Sequence, residues 1–341
     1  MHMNMYMGVL LCVAGGLAGA SFALPFRGIR NWKYESYWFV YAFAGLVVVP
    51  LLIAHFTCPS FLDVLSSVPD AVLGRCFGFG MLWGIGGLTW GLMIRYLGIG
   101  LGLALGCGLC SATGTLIPPI VTGHCADLVK DTPAVLTLAG VVVSLLGIVF
   151  VGLAGKSKEG ELPEELKKKA VVDFDFRKGI FVAVFSGIAS AGMNFGLQGG
   201  LEIESAARNH GVAEIWTGIP VLVVVLAGGF VVNAVWCLWQ NCRNRSFGDY
   251  RRGFGPWTLA VAAGAIWAMQ FVCQKIGEPA LGEIRYISFA LVMGSCVLFS
   301  SLLGVMLGEW KGTGAKTRTL LGFGLAILAA SIALVSVAKA M

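Results

Sequence analysis

The sequence predicts an all-α integral membrane protein with ten transmembrane helices, built as two inverted five-helix repeats. Three observations predict it. Hydrophobic residues fill 57% of 341 positions and charged residues only 12%, whereas a soluble domain carries about 25% charged residues. Ten runs are each apolar over the roughly 20 residues that a helix needs to cross a bilayer core of about 30 Å. Segments of the two halves also match one another. The 48 glycines fit the same class, because membrane helices use glycine to bring backbones close together.

The runs lie at 5–26, 36–56, 71–93, 98–121, 134–154, 179–200, 215–238, 255–274, 286–308 and 319–338. Met1 to Met7 carries no Lys or Arg, and the apolar stretch behind it is longer than a secretory signal core, so it reads as the first span. Pro25, Pro50, Pro118, Pro119 and Pro220 sit in or near span ends, where proline bends a helix. The long connection 155–178 mixes Lys167, Lys168 and Lys169 with Glu159, Glu161, Glu164, Glu165, Asp173 and Asp175. It reads as a solvated cytoplasmic linker between an N-terminal repeat, 1–154, and a C-terminal repeat, 179–341.

Orientation follows from the basic residues. Of the 24 Lys and Arg, all but Arg75, Lys130, Arg208, Lys275, Arg285 and Lys339 fall in odd-numbered connections or their flanks. Excess Lys and Arg marks cytoplasmic loops, so both termini are expected on the periplasmic side of a bacterial inner membrane.

The repeat is read from Gly8–Ala20 against Gly179–Ala191, and more weakly from Gly80-Met-Leu-Trp83-Gly against Gly264-Ala-Ile-Trp267-Ala. Five spans per copy is odd, so the second copy is inverted. That is the design of secondary transporters, whose substrate sits near the bilayer midplane between the halves.

All 18 acidic residues lie outside these runs, and of the basic residues only Arg75 lies inside one. Such an interior suits an uncharged, polyhydroxylated solute rather than a cation or a phosphate ester. Three stripes supply its groups. Trp83 and Trp90 share a face of span three with Gly86 and Gly87 between them, a slot for a flat sugar ring. Span six carries Ser186, Ser190, Asn194 and Gln198 at successive i+4 positions, and span eight carries Trp267, Gln270 and Gln274. An amide both donates and accepts, so it pairs with vicinal hydroxyls. The alternatives are indoles that pack on neighbouring helices or lipid, and amides that hydrogen-bond between helices.

The ten cysteines behave mostly as small hydrophobes in apolar runs. Cys107 and Cys110 have no partner ligands nearby, so no metal is expected. Cys58 and Cys125 fall in connections of the same side, where a disulfide between them is open. No catalytic motif occurs, and His2, His55, His124 and His210 scatter near span ends. No enzyme, cofactor or nucleic-acid partner is expected. A membrane sensor or scaffold would need a soluble domain or partner-binding tail, and neither is visible.

Span three then reads Met81-Leu-Trp83-Gly-Ile-Gly86-Gly-Leu-Thr-Trp90-Gly-Leu-Met-Ile-Arg95-Tyr-Leu-Gly98-Ile-Gly100. With Gly114-Thr-Leu, Pro118-Pro-Ile, Ser190-Ala-Gly-Met193, Tyr286-Ile-Ser288 and Gly308-Glu309-Trp310, it resembles the L-rhamnose–proton symporter family of the drug/metabolite transporter superfamily. The resemblance implies ten helices in two inverted halves and uptake of a 6-deoxy sugar with a proton. Partners are then a small neutral sugar (L-rhamnose, a related deoxy sugar or a pentose), a proton and the lipid bilayer. A carrier of another neutral metabolite and an uncoupled facilitator stay open. The family tends to place an acid just before the Tyr-Ile-Ser of span nine. This chain has Arg285 there and Glu283 two positions earlier. Glu283 is the expected proton-coupling residue, the alternative being a solvated loop residue paired with Arg285.

Overall fold

A computed structural model describes residues 5–121, 132–161, 174–281 and 288–337. Among them every regular element is helical and none is a strand. Seven helical stretches are long and apolar enough to cross a membrane: Met5–Gly28, Tyr34–Thr57, Asp70–Ile99, Leu138–Lys158, Phe176–Asn209, Glu214–Asn244 and Phe254–Leu281. Leu101–Gly114 and Leu291–Met306 are shorter apolar helices, and Ala315–Val337 closes the described chain.

In chain order, α1 is Met5–Ser21, α2 Tyr34–Thr57, α3 Asp70–Ile99 and α4 Leu101–Gly114. Next come α5, Thr132–Glu161, α6, Phe176–Ser190, α7, Gly192–Gln198, and α8, Leu201–Asn209. The last four are α9, Ile219–Asn244, α10, Phe254–Gly277, α11, Ser288–Met306, and α12, Ala315–Val337.

The chain forms two compact units, and each is built from two separate stretches of the sequence. One comprises Met1–Gly87 and Gly192–Gly282, the other Leu88–Ala191 and Glu283–Met341. The division passes through α3 at Gly87 and between α6 and α7 at Ala191.

Glycine sets the helix spacing in the first unit. A Cβ on Gly8 of α1 would lie 2.8 Å from the Gly277 carbonyl oxygen of α10, and one on Gly15 would lie 2.6 Å from that of Gln270. Further contacts mirror each other in pairs. A Cβ on Gly264 of α10 would meet the Tyr41 oxygen of α2 at 2.5 Å, as one on Gly80 of α3 would meet the Val225 carbonyl carbon of α9 at 2.8 Å. A Cβ on Gly45 would meet the Gly264 oxygen at 2.6 Å, as one on Gly229 would meet the Gly80 oxygen at 3.4 Å. Gly84 in turn lies against the Gly229 oxygen, 2.8 Å from where its Cβ would stand. Gly45 and Gly229 are separated by the same number of residues as Gly80 and Gly264.

In the second unit α5 packs on α12, where a Cβ on Gly324 would meet Val151 N at 3.0 Å. The helix break between α3 and α4 is made by Gly98, at φ 86° and ψ 173°. A positive φ is open to glycine at no steric cost. The break takes Ile99 N out of the helical ladder, and the Glu309 carboxylate accepts from it at 2.9 Å. Residues of two stretches singled out in the sequence, Met81–Gly100 and Gly308–Trp310, thus meet at one backbone break. Asp175 caps α6 by accepting from Lys178 N at 3.0 Å.

The expectation of a charge-free interior is corrected here. Glu35, Lys158, Glu204, Asp249, Lys275, Glu278 and Glu309 are all buried. An apolar run is cut at its first charge, but a helix continues for another turn wherever its backbone bonds and its ion pairs are satisfied. Lys275 therefore lies inside the membrane-length stretch Phe254–Leu281, and Glu204 inside Phe176–Asn209.

Candidate functional site

The first unit brings together the aromatic residues of spans three and eight. Trp83 of α3 and Trp267 of α10 stack with centroids 5.3 Å apart at 25°. Both are 7% exposed. Glycine makes the room, since a Cβ on Gly229 would lie 2.5 Å from Trp83 Cε3. Tyr41 of α2 meets Trp267 edge-on at 6.3 Å and leans on Trp38 at 4.8 Å. The Trp38 indole Nε1 donates to Asn233 Oδ1 at 2.9 Å. This places an aromatic surface beside amide groups.

Gln270, one turn beyond Trp267, is 5% exposed. Its side chain lies against Gly19 of α1, where a Cβ would come within 2.6 Å of Gln270 Cδ. The Gly19 position thus holds the amide in place by offering it space. Gln274 continues the stripe, and its Nε2 donates to Glu278 Oε1 at 3.0 Å.

The other expected residues are placed differently. Trp90 belongs to the second unit and Trp83 to the first. Trp90 is half-buried, and its Nε1 donates to Ser190 Oγ at 2.7 Å. The partner of Trp83 is therefore Trp267 rather than an indole two turns along its own helix. The span-six stripe is divided too. Ser186 is hydrogen-bonded to Thr89 and Ser190 to Trp90, both in the second unit. Asn194 and Gln198 lie in the first unit, where Gln198 Nε2 donates to Asn194 Oδ1 at 3.2 Å. Asn194 is buried and Gln198 is exposed. Glu283 and Arg285 lie outside the described residues, as does Cys125. Cys107 donates to Cys296 Sγ at 3.2 Å.

Beyond Gln274 comes an ionic cluster whose members all lie outside the ten apolar runs of the sequence. Lys275 Nζ donates to Glu204 Oε1 at 2.9 Å and to Glu278 Oε2 at 2.7 Å. The side chains of Lys275, Glu204 and Glu278 are 3%, 3% and 8% exposed. A signal for it existed, because Lys275 and Glu278 are i, i+3, and Glu278 follows Gln274 by four residues on the same helical face.

A second polar cluster joins α2 to the end of α9. Glu35 Oε1 accepts from Ser246 Oγ at 2.7 Å and Asn244 Nδ2 at 2.9 Å. Asp249 accepts from Ser36 Oγ and from Lys33 N, both at 2.9 Å. Four hydrogen bonds thus tie Lys33, Glu35 and Ser36 to Asn244, Ser246 and Asp249, a structural node.

Over residues 1–340 the chain matches the L-rhamnose-proton symport protein (RhaT) family. It belongs to that family. Curated relatives agree along nearly the whole length. The chain is 29% identical over 343 residues to an L-rhamnose-proton symporter of Escherichia coli O1:K1, covering 98% of each chain. It is 31% identical over 336 residues to one of Pectobacterium carotovorum subsp. carotovorum, covering 96% of each. No solved structure matches. The L-rhamnose-proton symport family is a family of transporters, so the stacked indoles and buried amides stand in a multi-pass membrane carrier.

Proposed function

We propose that the protein imports a neutral sugar, L-rhamnose or a related deoxy sugar or pentose, with a proton across the bacterial inner membrane by alternating access. Its scaffold is ten spans in two inverted repeats, 1–154 and 179–341, joined by the cytoplasmic linker 155–178, with both termini periplasmic. The mirrored glycine contacts support the repeat: Gly45 meets Gly264 as Gly229 meets Gly80, and Gly264 meets Tyr41 as Gly80 meets Val225. A two-fold relation between the copies generates such a swap, because span two of each copy then packs on span three of the other.

The observation that carries the sugar reading is the Trp83–Trp267 stack with Gln270 one turn away. An indole face takes the C–H face of a sugar ring, and an amide pairs with its hydroxyls. Trp83, Trp267 and Gln270 are the primary contacts. Asn194, Gln198 and Gln274 contribute amides from neighbouring turns. The test is uptake of labelled L-rhamnose by cells whose own rhamnose transport has been removed. Expression of this chain should restore uptake, and excess unlabelled deoxy sugar should compete. Uptake that stays at background while the protein is in the membrane would overturn the reading.

A further inference from the structure

We propose that Tyr41 is a further sugar-recognising residue, whose hydroxyl pairs with one hydroxyl of the transported sugar beside the Gln270 amide. This rests on the sugar reading above and adds to that site a group that selects one ring hydroxyl.

Burial without a partner singles out the side chains concerned. Trp83, Trp267, Gln270 and Tyr41 are each more than nine-tenths buried. None of the four has a hydrogen-bond partner among the described residues. Their polar atoms are two indole N–H groups, a phenolic O–H and an amide, and such groups are costly to leave buried and unpaired. The adjoining pair is closed by its own hydrogen bonds. Trp38 Nε1 donates to Asn233 Oδ1 at 2.9 Å, and Asn233 Nδ2 donates to Gly229 O at 2.8 Å.

Helices of the first unit bring the unpaired set together. Tyr41 of α2 meets Trp267 of α10 edge-on at 6.3 Å and Phe22 at 5.6 Å. Gln270 lies against Gly19 of α1, three residues before Phe22. Tyr41 and Gln270 thus converge on one turn at the end of α1, next to the Trp83–Trp267 stack. Phe26 at 5.4 Å and Trp38 at 4.8 Å pack on the Tyr41 ring as well. A tyrosine held this way offers its hydroxyl at a small cost in conformational entropy.

The chemistry of the set matches a polyol. An indole N–H only donates, a phenol donates or accepts, and an amide does both. The set is uncharged and rich in donors. A sugar hydroxyl accepts through two lone pairs and donates once, so it can satisfy both Tyr41 and Gln270; an ammonium group cannot accept and gains nothing from the donors. A sugar that lacks the hydroxyl at Tyr41 leaves the phenol unpaired in the complex, and a site built on hydrogen bonds rejects such an analogue strongly.

Counterflow of labelled L-rhamnose by the full-length protein in proteoliposomes tests this. Tyr41→Phe keeps the ring and removes one O–H. Its apparent affinity for L-rhamnose should fall roughly 5- to 100-fold. Competition by L-rhamnose derivatives that each lack one ring hydroxyl reads the contact itself. The derivative missing the hydroxyl that Tyr41 holds should bind wild type weakly and lose nothing further in Tyr41→Phe, while the others weaken as L-rhamnose does. Unchanged affinity in Tyr41→Phe, or an equal loss for L-rhamnose and every derivative, would overturn the assignment, because a purely structural tyrosine affects all ligands alike. If Tyr41→Phe does not reach the membrane, 3-fluorotyrosine at position 41 replaces it, a stronger donor of nearly the same size. Tighter L-rhamnose binding is then expected, and wild-type affinity would overturn the assignment. Gln270→Leu and Trp83→Ala are measured alongside. Weaker binding in both, with wild-type affinity in Tyr41→Phe, would remove Tyr41 and leave the sugar site standing. A wild type that carries no L-rhamnose would overturn the sugar reading, and the role of Tyr41 with it.

Discussion

Gly264→Ala should destabilise the protein by about 2 kcal/mol, near the middle of the range for overpacking a filled interior. The added Cβ would lie 2.5 Å from Tyr41 O, 2.9 Å from Gly45 N and 3.0 Å from Ala44 Cβ. Two of these atoms are backbone, so no rotamer change relieves the clash. Moving the closest contact out to an ordinary 3.4 Å parts α2 from α10 by about 1 Å, against a packing that tolerates little change in volume. Two kcal/mol lowers the folded-to-unfolded ratio about 30-fold. The mirrored Gly80→Ala should cost a similar amount. Gly78, on the same helix as Gly80, has nothing within 4 Å of its Cβ position, so Gly78→Ala should be neutral or gain up to about 1 kcal/mol of helix propensity. The assay is thermal unfolding of the purified proteins in detergent, followed by helical circular dichroism. Trp267 stands three residues beyond Gly264, so rhamnose uptake should fall with stability. A Gly264→Ala protein that melts with Gly78→Ala would refute the close approach of α2 and α10.

Other predictions concern the site and the topology. Gln270→Leu should weaken rhamnose binding by about 1–3 kcal/mol, the cost of leaving a buried hydroxyl unpaired, while Gln198→Leu should change it less. Both are checked by concentration dependence of counterflow. Trp83→Phe keeps an aromatic face and should retain more affinity than Trp83→Ala, measured in the same way. An impermeant maleimide on intact cells should leave Cys242 unlabelled, whereas inside-out vesicles should expose it; labelling from outside would reverse the assigned orientation. Cys58 is buried and burial raises its thiol pKa, so it should react slowly from either side. Asp175→Ala should cost about 1 kcal/mol as a lost helix cap. Its carboxyl is held below the usual range, chiefly by the hydrogen bond from Lys178 N. That contribution is present at neutral pH and fades as pH falls through the lowered value, so wild type and variant should converge in acid.

The membrane class and most helix positions were legible because hydropathy reports burial in lipid directly. That Trp267, Gln270 and Gln274 share one helical face was legible because helical spacing puts residues on faces. Which faces meet was not legible. Trp90 was read with Trp83 from spacing along one helix, yet Trp83 stacks on Trp267 because Gly80, Gly84 and Gly229 bring α3 and α9 together. The Gly98 break was hidden in an apolar run with no proline. The ionic cluster was missed because a hydropathy run ends at a charge, so Lys275 and Glu278 were counted as loop although the helical stretch carries them to Leu281. Cys58, which the sequence places in a connection, is 1% exposed.

The most direct measurement is proton movement by the purified wild-type chain in proteoliposomes. Adding L-rhamnose outside should alkalinise the outer medium, and an imposed inward proton gradient should drive rhamnose above its outside concentration. Rhamnose that equilibrates without moving protons, or that is not carried at all, would contradict the account.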